Sequence, residues 1–340
     1  MKQQLLVQPG RFVLQEVPDP SPGAHEVVLR VERVGICGSD LHIYRDQSFI
    51  KPPVVLGHEF AGVVVALGVG VTGVASGDRV AVNPGVNCGE CAHCLAGLAN
   101  VCERQLCIGA CAEWPGAFAE FVRVPAANLI PLPDHLSFAA AALIEPAAVA
   151  MHALDKAQVT REGGVVVLGL GTVGQLVAQA CRLAGACCVI AVDPLPGRRQ
   201  LSVRLGVHAA FDPTAITPEA IVQEHFGGRG ADFVFDTASN PQSFAFALRL
   251  LRRGGRYVDV GEAVQPITFD LNALAFYEIE LTGVNMYRDC NFSDALTAIA
   301  EGRMLVEPLV SAVYGLADVQ AGFTAAADAP DCHVKVLLAP

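Results

Sequence analysis

The sequence predicts a two-domain α/β protein, in which a mostly-β domain is joined to a doubly wound, mainly parallel sheet. Up to about residue 82, short β-branched runs alternate with Pro/Gly turns, as they do in antiparallel sheets. From residue 163 onward, continuous apolar strands alternate with helical stretches, which is typical of parallel sheets. A chain of 340 residues can give each domain its own core. In the first domain we predict strands at 27–31, 63–67, 80–82 and 116–122.

The composition excludes several classes of protein. The chain is 52% hydrophobic, yet no apolar run reaches the ~20 residues of a membrane-spanning helix, and the N-terminus has no secretory signal. A net charge of −11 argues against nucleic acid or an anionic membrane as a partner. Twelve cysteines in a long chain without a signal are expected to be metal ligands and reduced thiols. We therefore expect a cytoplasmic protein.

A short stretch after the first predicted strand carries four chemically reactive side chains. It reads Gly-Ile-Cys-Gly-Ser-Asp-Leu-His over residues 35–42, and it is followed by Gly-His-Glu and, much later, by Glu-Pro. Cysteine, histidine and carboxylate from separate loops, with a fourth position left open, are typical of a catalytic zinc site. The sequence therefore predicts such a site at Cys37, His58 and a glutamate, with either Glu59 or Glu145 in direct contact and the other acting through water.

Each of these residues also has a purely structural interpretation. Cys37 alone would more often be a small buried hydrophobe, and His58 could be a satisfied core histidine. Asp40 could cap a short helix through His42, and Ser39 could be an ordinary loop hydroxyl. Their joint occurrence has few structural explanations and favours the catalytic interpretation.

Four cysteines, at Cys88, Cys91, Cys94 and Cys102, form a second candidate metal site. Four thiolates at this spacing can close a tetrahedron around Zn²⁺ with no open position, so the predicted site is structural. An iron–sulfur cluster is the alternative, but cluster motifs commonly end in Cys-Pro and this one does not.

A glycine-rich motif, Gly-Leu-Gly-Thr-Val-Gly at residues 169–174, lies between a predicted strand and a predicted helix. The next strand ends at Asp193, nineteen residues after Gly174, which completes a dinucleotide-binding fingerprint. The glycines let the backbone approach the pyrophosphate, and the acid accepts hydrogen bonds from the adenosine ribose. Later strands are predicted at 209–211, 233–236 and 257–261. The predicted cofactor-binding residues are Gly169, Gly171, Thr172, Val173, Gly174, Asp193, Arg198 and Gly261.

The apolar stretch 138–154 is predicted to be helical, with Glu145-Pro146 inside it. A carboxylate in such a neighbourhood costs several kcal/mol to bury without a partner. We therefore expect Glu145 to meet a cation.

On these motifs, the sequence resembles the zinc-dependent medium-chain alcohol/polyol dehydrogenase family over essentially the whole chain. The resemblance implies a GroES-like mostly-β catalytic domain at 1–147 and 286–340 and a Rossmann domain at 148–285. It implies catalytic and structural zinc, NAD, a small polyol or sugar-acid substrate, and a homo-oligomer, either a tetramer or a dimer. The edge strand expected at 280–284 would pair the subunits.

The resemblance also implies roles for individual residues. Ser39 would take the substrate proton and His42 would pass it to solvent, while Asp40 would orient His58. Phe118 would line the substrate pocket, although a core aromatic is an equal alternative.

Near the second domain boundary, Tyr287 matches the tyrosine of an arginine–tyrosine pair that holds substrate hydroxyls in polyol dehydrogenases. Met286 occupies the arginine position, and Arg288 lies one residue past the tyrosine. The substrate assignment is therefore left open at this point.

The leading functional hypothesis is NAD-dependent oxidation of a secondary alcohol of a polyol, sugar alcohol or aldonic acid. L-threonine 3-dehydrogenase is the alternative, because that family shares the loop Cys-Gly-x-Asp-x-His-Ile-Tyr; the polyol-like Glu-Pro at Glu145 favours the former. A non-catalytic zinc- and dinucleotide-binding sensor is a more distant alternative. Asp193 predicts NAD rather than NADP, because its carboxylate would repel a 2′-phosphate, although Arg198 and Arg199 could receive one or stack beside adenine.

Overall fold

The structure is a computed structural model that describes all residues from Met1 to Pro340. It divides into two compact units. The first comprises Met1–Glu145, Arg288–Gly302 and Val306–Pro340, and the second comprises Pro146–Tyr287 and Arg303–Leu305. The expected boundaries after residues 147 and 285 thus lie close to the observed divisions after Glu145 and Tyr287.

Seventeen strands and eleven α-helices build the two units. The strands are β1 (Lys2–Gln8), β2 (Arg11–Glu16), β3 (Glu26–Gly35), β4 (Glu59–Leu67), β5 (Arg79–Val82), β6 (Gly85–Val86), β7 (Leu106–Cys107), β8 (Phe121–Pro125), β9 (Leu129–Pro131), β10 (Gly164–Leu168), β11 (Cys188–Val192), β12 (Ala209–Phe211), β13 (Ala231–Asp236), β14 (Leu251–Asp259), β15 (Glu280–Gly283), β16 (Val310–Gly315) and β17 (Lys335–Ala339). The helices are α1 (Gly38–Tyr44), α2 (Ala92–Leu95), α3 (Phe138–Ala141), α4 (Ile144–Ala157), α5 (Thr172–Leu183), α6 (Pro196–Arg204), α7 (Pro218–Phe226), α8 (Pro241–Leu250), α9 (Leu271–Tyr277), α10 (Asp289–Ala300) and α11 (Val319–Asp328).

The first unit contains a seven-stranded sheet in the order β16-β17-β3-β4-β5-β9, with β8 also paired to β3. Its pairs are antiparallel except for β16 with β17. The strands β3 and β4 contribute buried valine, leucine and phenylalanine side chains to one core, which Phe118 and Phe323 also enter. Burial of these apolar side chains against both faces stabilises the central strands.

The second unit contains a six-stranded sheet in the order β12-β11-β10-β13-β14-β15. Every neighbouring pair is parallel. The strand β10 is buried at all of its residues, as expected for a central strand covered on both faces. The strand order reverses between β10 and β13, and the crevice outside the carboxyl ends of these strands is where such sheets bind dinucleotides. The predicted doubly wound fold is confirmed.

One local prediction was wrong, and a second was confirmed with a break. The strand expected at 116–122 begins only at Phe121. The segment before it makes only an isolated bridge to β1, at Ala119, and its other backbone bonds go largely to a loop: Gly116 N donates to Val55 O at 2.8 Å and Phe118 N to Leu56 O at 2.9 Å. The stretch 138–154, predicted to be helical, is helical except at residues 142–143, where it divides into α3 and α4.

None of the helices combines the length and the apolar character that crossing a membrane requires.

Candidate metal centres and dinucleotide site

The pairing of β3 with β4 assembles the first candidate metal centre. Gly35, the last residue of β3, lies opposite Glu59, the first residue of β4. The loop after β3 therefore meets the residues that begin β4, and the ligand atoms of Cys37, His58 and Glu59 all lie within 4.8 Å of one another. His58 is 8% exposed and Glu59 is 1% exposed, so these two donors are buried from solvent.

Asp40 contacts two members of this group, Cys37 and His58. Its carboxylate is fully buried; one oxygen accepts the Cys37 N–H at 2.9 Å, and the other lies 3.5 Å from His58 Nδ1. Asp40 occupies the third position of α1, and Cys37 is the N-cap, so the capping role considered for Asp40 falls to Cys37. A carboxylate behind the histidine leaves Nε2 to face a metal ion, as in carboxylate–histidine–zinc arrangements.

The electrostatic field at the histidine favours a cation. Burial of the carboxyl raises the pKa of Asp40 to about 6, although His58 opposes this shift. Burial alone would lower the pKa of His58, but Asp40 and Cys37 outweigh it and raise that pKa well above its ordinary value. The negative surroundings that favour a proton on this imidazole would also favour a divalent cation in its place.

The backbone before His58 is fixed by close packing. Gly57 has φ +102°, and a Cβ there would lie 2.6 Å from the Phe118 ring. The ring of Phe118 is fully buried and packs edge-on against Phe323, with 5.9 Å between ring centroids. The structure therefore places Phe118 in the core, and its contact with Gly57 supports the candidate metal centre indirectly.

Lys335 is a member of this centre that sequence reasoning missed. It is 1% exposed, and its ammonium donates to the Ile36 carbonyl at 3.0 Å and to the Glu59 carboxylate. Burial alone would lower the pKa of Lys335, but Glu59 opposes this and holds that pKa above its ordinary value. A lone lysine opening an otherwise apolar strand was the signal available in the sequence, because lysine is almost never buried without a partner.

Glu145 lies in the first turn of α4 and is 8% exposed, but the converging donor set does not include it. Its charge acts on Cys107, a thiol that sequence reasoning did not single out. Burial raises the pKa of Cys107 to about 12, although His58 opposes this shift. Glu145 and Cys107 therefore belong to the electrostatic surroundings of the metal centre.

The remaining predicted catalytic and substrate residues lie on two segments. Ser39 and His42 are three residues apart on α1, a spacing that puts side chains on one helix face. Tyr287 is 4% exposed and ends the long segment of the second unit, whereas Arg288 immediately precedes α10 in the first. Met286, which lies between β15 and Tyr287, has a left-handed backbone with φ +47°.

The four cysteines of the second candidate centre converge. Their ligand atoms lie within 4.8 Å of one another, with sulfur separations of 3.4 Å for Cys88–Cys102 and 3.9 Å for both Cys88–Cys94 and Cys91–Cys102. Four sulfurs about 2.3 Å from a tetrahedral ion would lie about 3.8 Å apart. The donor set is closed and all-sulfur, which suits structural zinc.

Backbone amides prepare this lobe for a metal. The amides of Glu90 and Cys91 lower the pKa of the Cys88 thiol to about 6. Burial and the neighbouring thiols raise the pKa of Cys94 to about 12. Without a cation the lobe therefore resists complete ionisation, and a divalent metal would supply the missing positive charge.

The glycine-rich turn after β10 forms an open cradle. An added Cβ at Gly171 would meet only the Arg198 guanidinium, at 3.8 Å, so the backbone there is accessible where α5 begins. Gly169 has φ +82°, and a Cβ there would lie 2.7 Å from Thr237 Oγ1. An accessible backbone at the amino end of a helix suits a pyrophosphate, and Thr172 and Val173 open that helix.

Thr237 connects this turn to the next loops, and sequence reasoning missed it. Its hydroxyl donates to the carbonyls of Leu168 at 3.1 Å and Gly169 at 2.9 Å. A Cβ at Gly261 would lie 2.9 Å from the Thr237 carbonyl. Thr237 therefore couples the glycine-rich turn to the loop after β14 that carries Gly261.

Asp193 immediately follows β11 and is 3% exposed. One carboxylate oxygen accepts the Leu170 N–H at 2.7 Å, and the other accepts the Leu195 N–H at 2.8 Å. Arg198 Nη1 lies 3.9 Å from this carboxylate, and Arg199 forms an ion pair with Asp212 at 3.2 Å. Each Asp193 oxygen keeps capacity to accept a ribose hydroxyl.

The comparisons with known proteins agree with this geometry. The alcohol dehydrogenase GroES-like domain matches residues 23–134, and the zinc-binding dehydrogenase domain matches residues 172–301. D-xylulose reductase A of Aspergillus oryzae is 34% identical over 308 residues, covering 88% of this chain and 86% of that protein. Sorbitol dehydrogenase of Halalkalibacterium halodurans is 32% identical over 334 residues, covering 97% and 96%.

Solved structures give the same result. A protein from Sinorhizobium meliloti, described as a zinc-binding dehydrogenase bound to NADP, superposes with a TM-score of 0.92 at 31% identity, covering 100% of this chain and 99% of that one. An alcohol dehydrogenase from Escherichia coli CFT073 in complex with NADH superposes with a TM-score of 0.93 at 29% identity, with the same coverage. The chain therefore belongs to the zinc-dependent medium-chain polyol dehydrogenase family, whose members are oxidoreductases acting on CH–OH groups.

Proposed function

We propose that the protein oxidises a secondary alcohol of a polyol, sugar alcohol or aldonic acid to the ketone, with NAD as the hydride acceptor. The observation that carries the proposal is the convergence of Cys37, His58 and Glu59, backed by Asp40, in a chain that also has an open dinucleotide cradle. The similarity to a xylulose reductase and a sorbitol dehydrogenase supports a polyol substrate.

In this reaction, one set of residues would bind the metal ion and another would transfer the proton. When bound, zinc supplies the Lewis acidity that lowers the pKa of a substrate hydroxyl, and the dinucleotide supplies the hydride acceptor. Cys37, His58 and Glu59 would hold the ion and leave one position for substrate. Ser39 would take the hydroxyl proton, and His42, on the same face of α1, would pass it toward solvent.

The test is a substrate panel followed by NADH absorbance. We expect turnover with polyols such as xylitol and sorbitol or with hexonates, and little or none with L-threonine. Activity confined to L-threonine would favour threonine dehydrogenation instead. Absence of turnover with every secondary alcohol, in protein that contains zinc and binds NAD⁺, would support the sensor alternative.

We propose Glu59, rather than Glu145, as the carboxylate ligand of the catalytic zinc. Glu59→Gln should weaken zinc binding at this centre by about 10- to 100-fold or more, and Glu145→Gln should weaken it less. The support is that Glu59 belongs to the converging donor set. Chelator competition measures both affinities, and the opposite order of damage would assign the ligand to Glu145.

We propose a preference for NAD⁺ over NADP⁺, carried by Asp193. Like charges 4 Å apart repel by about 4 kcal/mol at an effective dielectric near 20, and even after discounting for Arg198 this predicts roughly a hundredfold preference in kcat/KM. Asp193→Ala should weaken both cofactors, because it removes the acceptor of the Leu170 amide, but it should also lower the preference about tenfold or more.

Asp212→Ala is the matched control for that substitution, because it removes a carboxylate that pairs with Arg199 but does not bond the glycine-rich turn. Its NAD⁺/NADP⁺ ratio should match that of the wild type. A wild-type preference for NADP⁺, or an unchanged ratio in Asp193→Ala, would contradict the assignment.

We also propose a cytoplasmic homo-oligomer, a tetramer or a dimer. All twelve cysteines are free thiols, which suits a reducing compartment. The strand β15 is one edge of the six-stranded sheet, and apolar side chains of α9 are exposed, including Leu271 at 69% and Phe276 at 74%. Exposed apolar edges are commonly covered by association. A mass of 35.6 kDa by light scattering would indicate a monomer and contradict the assembly.

A further inference from the structure

A fully buried ion pair adjoins the proposed catalytic metal centre, and it has no part in the proton path or in binding of the cofactor. It joins Lys335 on β17 to Glu59 on β4, and both side chains are 1% exposed. The Lys335 ammonium is anchored from a second side by the Ile36 carbonyl, at 3.0 Å, one residue before Cys37. Since lysine is rarely buried without a specific role for its charge, the pair invites a functional explanation.

The two residues of this pair lie on strands β17 and β4, which flank β3 in a row of three strands. Gly35 on β3 lies between Leu337 on β17 and Glu59 on β4. A Cβ at Gly35 would overlap the Glu59 carboxylate oxygen that bonds Lys335. The missing side chain at Gly35 therefore lets the Glu59 carboxylate cross β3 toward Lys335 while it stays within reach of Cys37 and His58.

The charges around this row balance when a divalent metal ion and Lys335 are both present. A thiolate at the partly buried Cys37 and carboxylates at the buried Glu59 and Asp40 would place three negative charges close together. Lys335 offsets one of them, and a divalent metal ion offsets the other two. The cluster is therefore electrically neutral when both the metal and Lys335 are present, and burial of unbalanced charge is costly.

We propose that Lys335 is a positioning residue of the metal centre: it holds the Glu59 carboxylate between its ammonium and the catalytic metal and so weakens the hold of that carboxylate on the ion. The proposal rests on the proposed function only in requiring a metal at Cys37 and His58. It leads to an unusual expectation, namely that removing Lys335 tightens metal binding. A residue that merely stabilised the fold would leave the affinity unchanged or lower it.

The experiment measures zinc affinity by competition with a chelator, without substrate or cofactor. Cys37→Ser identifies the catalytic phase of the titration, because this variant should lack it. Lys335→Met should bind catalytic zinc at least about tenfold more tightly than the wild type. Lys335→Arg, which keeps the charge, should stay within about twofold of the wild type. Lys51→Met, which removes a half-exposed lysine paired with Asp46, is the matched control and should change nothing.

A double-variant cycle shows whether Lys335 acts through Glu59. In a Glu59→Gln background, Lys335→Met should tighten zinc binding much less than in the wild type, by a margin beyond the about twofold error of additivity. An equal gain in both backgrounds, or an unchanged or weaker affinity in Lys335→Met, would overturn the proposal. If Lys335→Met does not fold, the variant that also carries Glu59→Gln buries neither charge and becomes the test. Folding of this double variant would support the coupling of Lys335 to Glu59, and its failure to fold would overturn the role proposed for Lys335.

These results are separable from those that test the function. If Cys37→Ser retains both zinc phases, the catalytic metal centre itself is wrong. If that phase is lost as expected but Lys335→Met does not tighten the remaining affinity, only the role of Lys335 is rejected.

Discussion

Replacing Cys37 by serine is expected to abolish turnover while the chain stays folded. A serine hydroxyl remains protonated at neutral pH, so the substitution removes the thiolate donor of the catalytic zinc. Substituting a residue that hydrogen-bonds a metal ligand already lowers metal affinity or activity by about 10- to 100-fold. Loss of a direct ligand should therefore lower kcat/KM by more than about a hundredfold. The zinc content measured by elemental analysis should fall from about two ions per chain to about one.

The fold should survive this change for a specific reason. The Cys37 backbone N–H, which bonds the Asp40 carboxylate at 2.9 Å, is untouched by the substitution, so the start of α1 is retained. Cys290→Ser, at an exposed thiol, is the matched control and should keep both zinc and activity. Full activity in Cys37→Ser, or active wild-type protein without metal, would contradict the proposed mechanism.

Replacing Cys94 by serine is expected to damage stability first. Closed structural zinc sites contribute folding free energy outright, about 10–16 kcal/mol in isolated zinc-finger peptides. In a larger chain only part of this should appear, and since about 1 kcal/mol shifts the Tm of a domain this size by about 2–4 °C, we expect a fall of about 5 °C or more. Loss of one zinc and new proteolytic cleavage between the cysteines should accompany it.

His93→Ala provides the control in the same lobe. Its side chain is 46% exposed and lies outside the converging thiol set, so its zinc content and Tm should match those of the wild type. An unchanged Tm in Cys94→Ser, with both zinc ions retained, would mean that the four cysteines do not hold a structural metal.

Much of the fold followed from local pattern. The apolar run at Gly164–Leu168, the glycines after it and Asp193 at the end of the next strand predicted the parallel sheet, because each of these signals depends on residues close together in sequence. The predicted start of a strand at residue 116 was wrong, because alternation alone cannot tell a ladder strand from a segment that bonds largely to a loop and makes one isolated bridge.

The sequence alone determined the two-domain α/β class, the four-cysteine lobe, the dinucleotide turn and the identity of Cys37 and His58 as candidate ligands, because short spacings and local periodicity encode them. Only the tertiary structure decided which side chains converge on Cys37: it brought Glu59 into the donor set, left Glu145 outside it, and buried Phe118 in the core. It also joined Lys335 to Glu59 across 276 positions of the chain. Such contacts depend on the register of β17, β3 and β4, and register is set by the packing of the whole sheet rather than by any neighbouring residues.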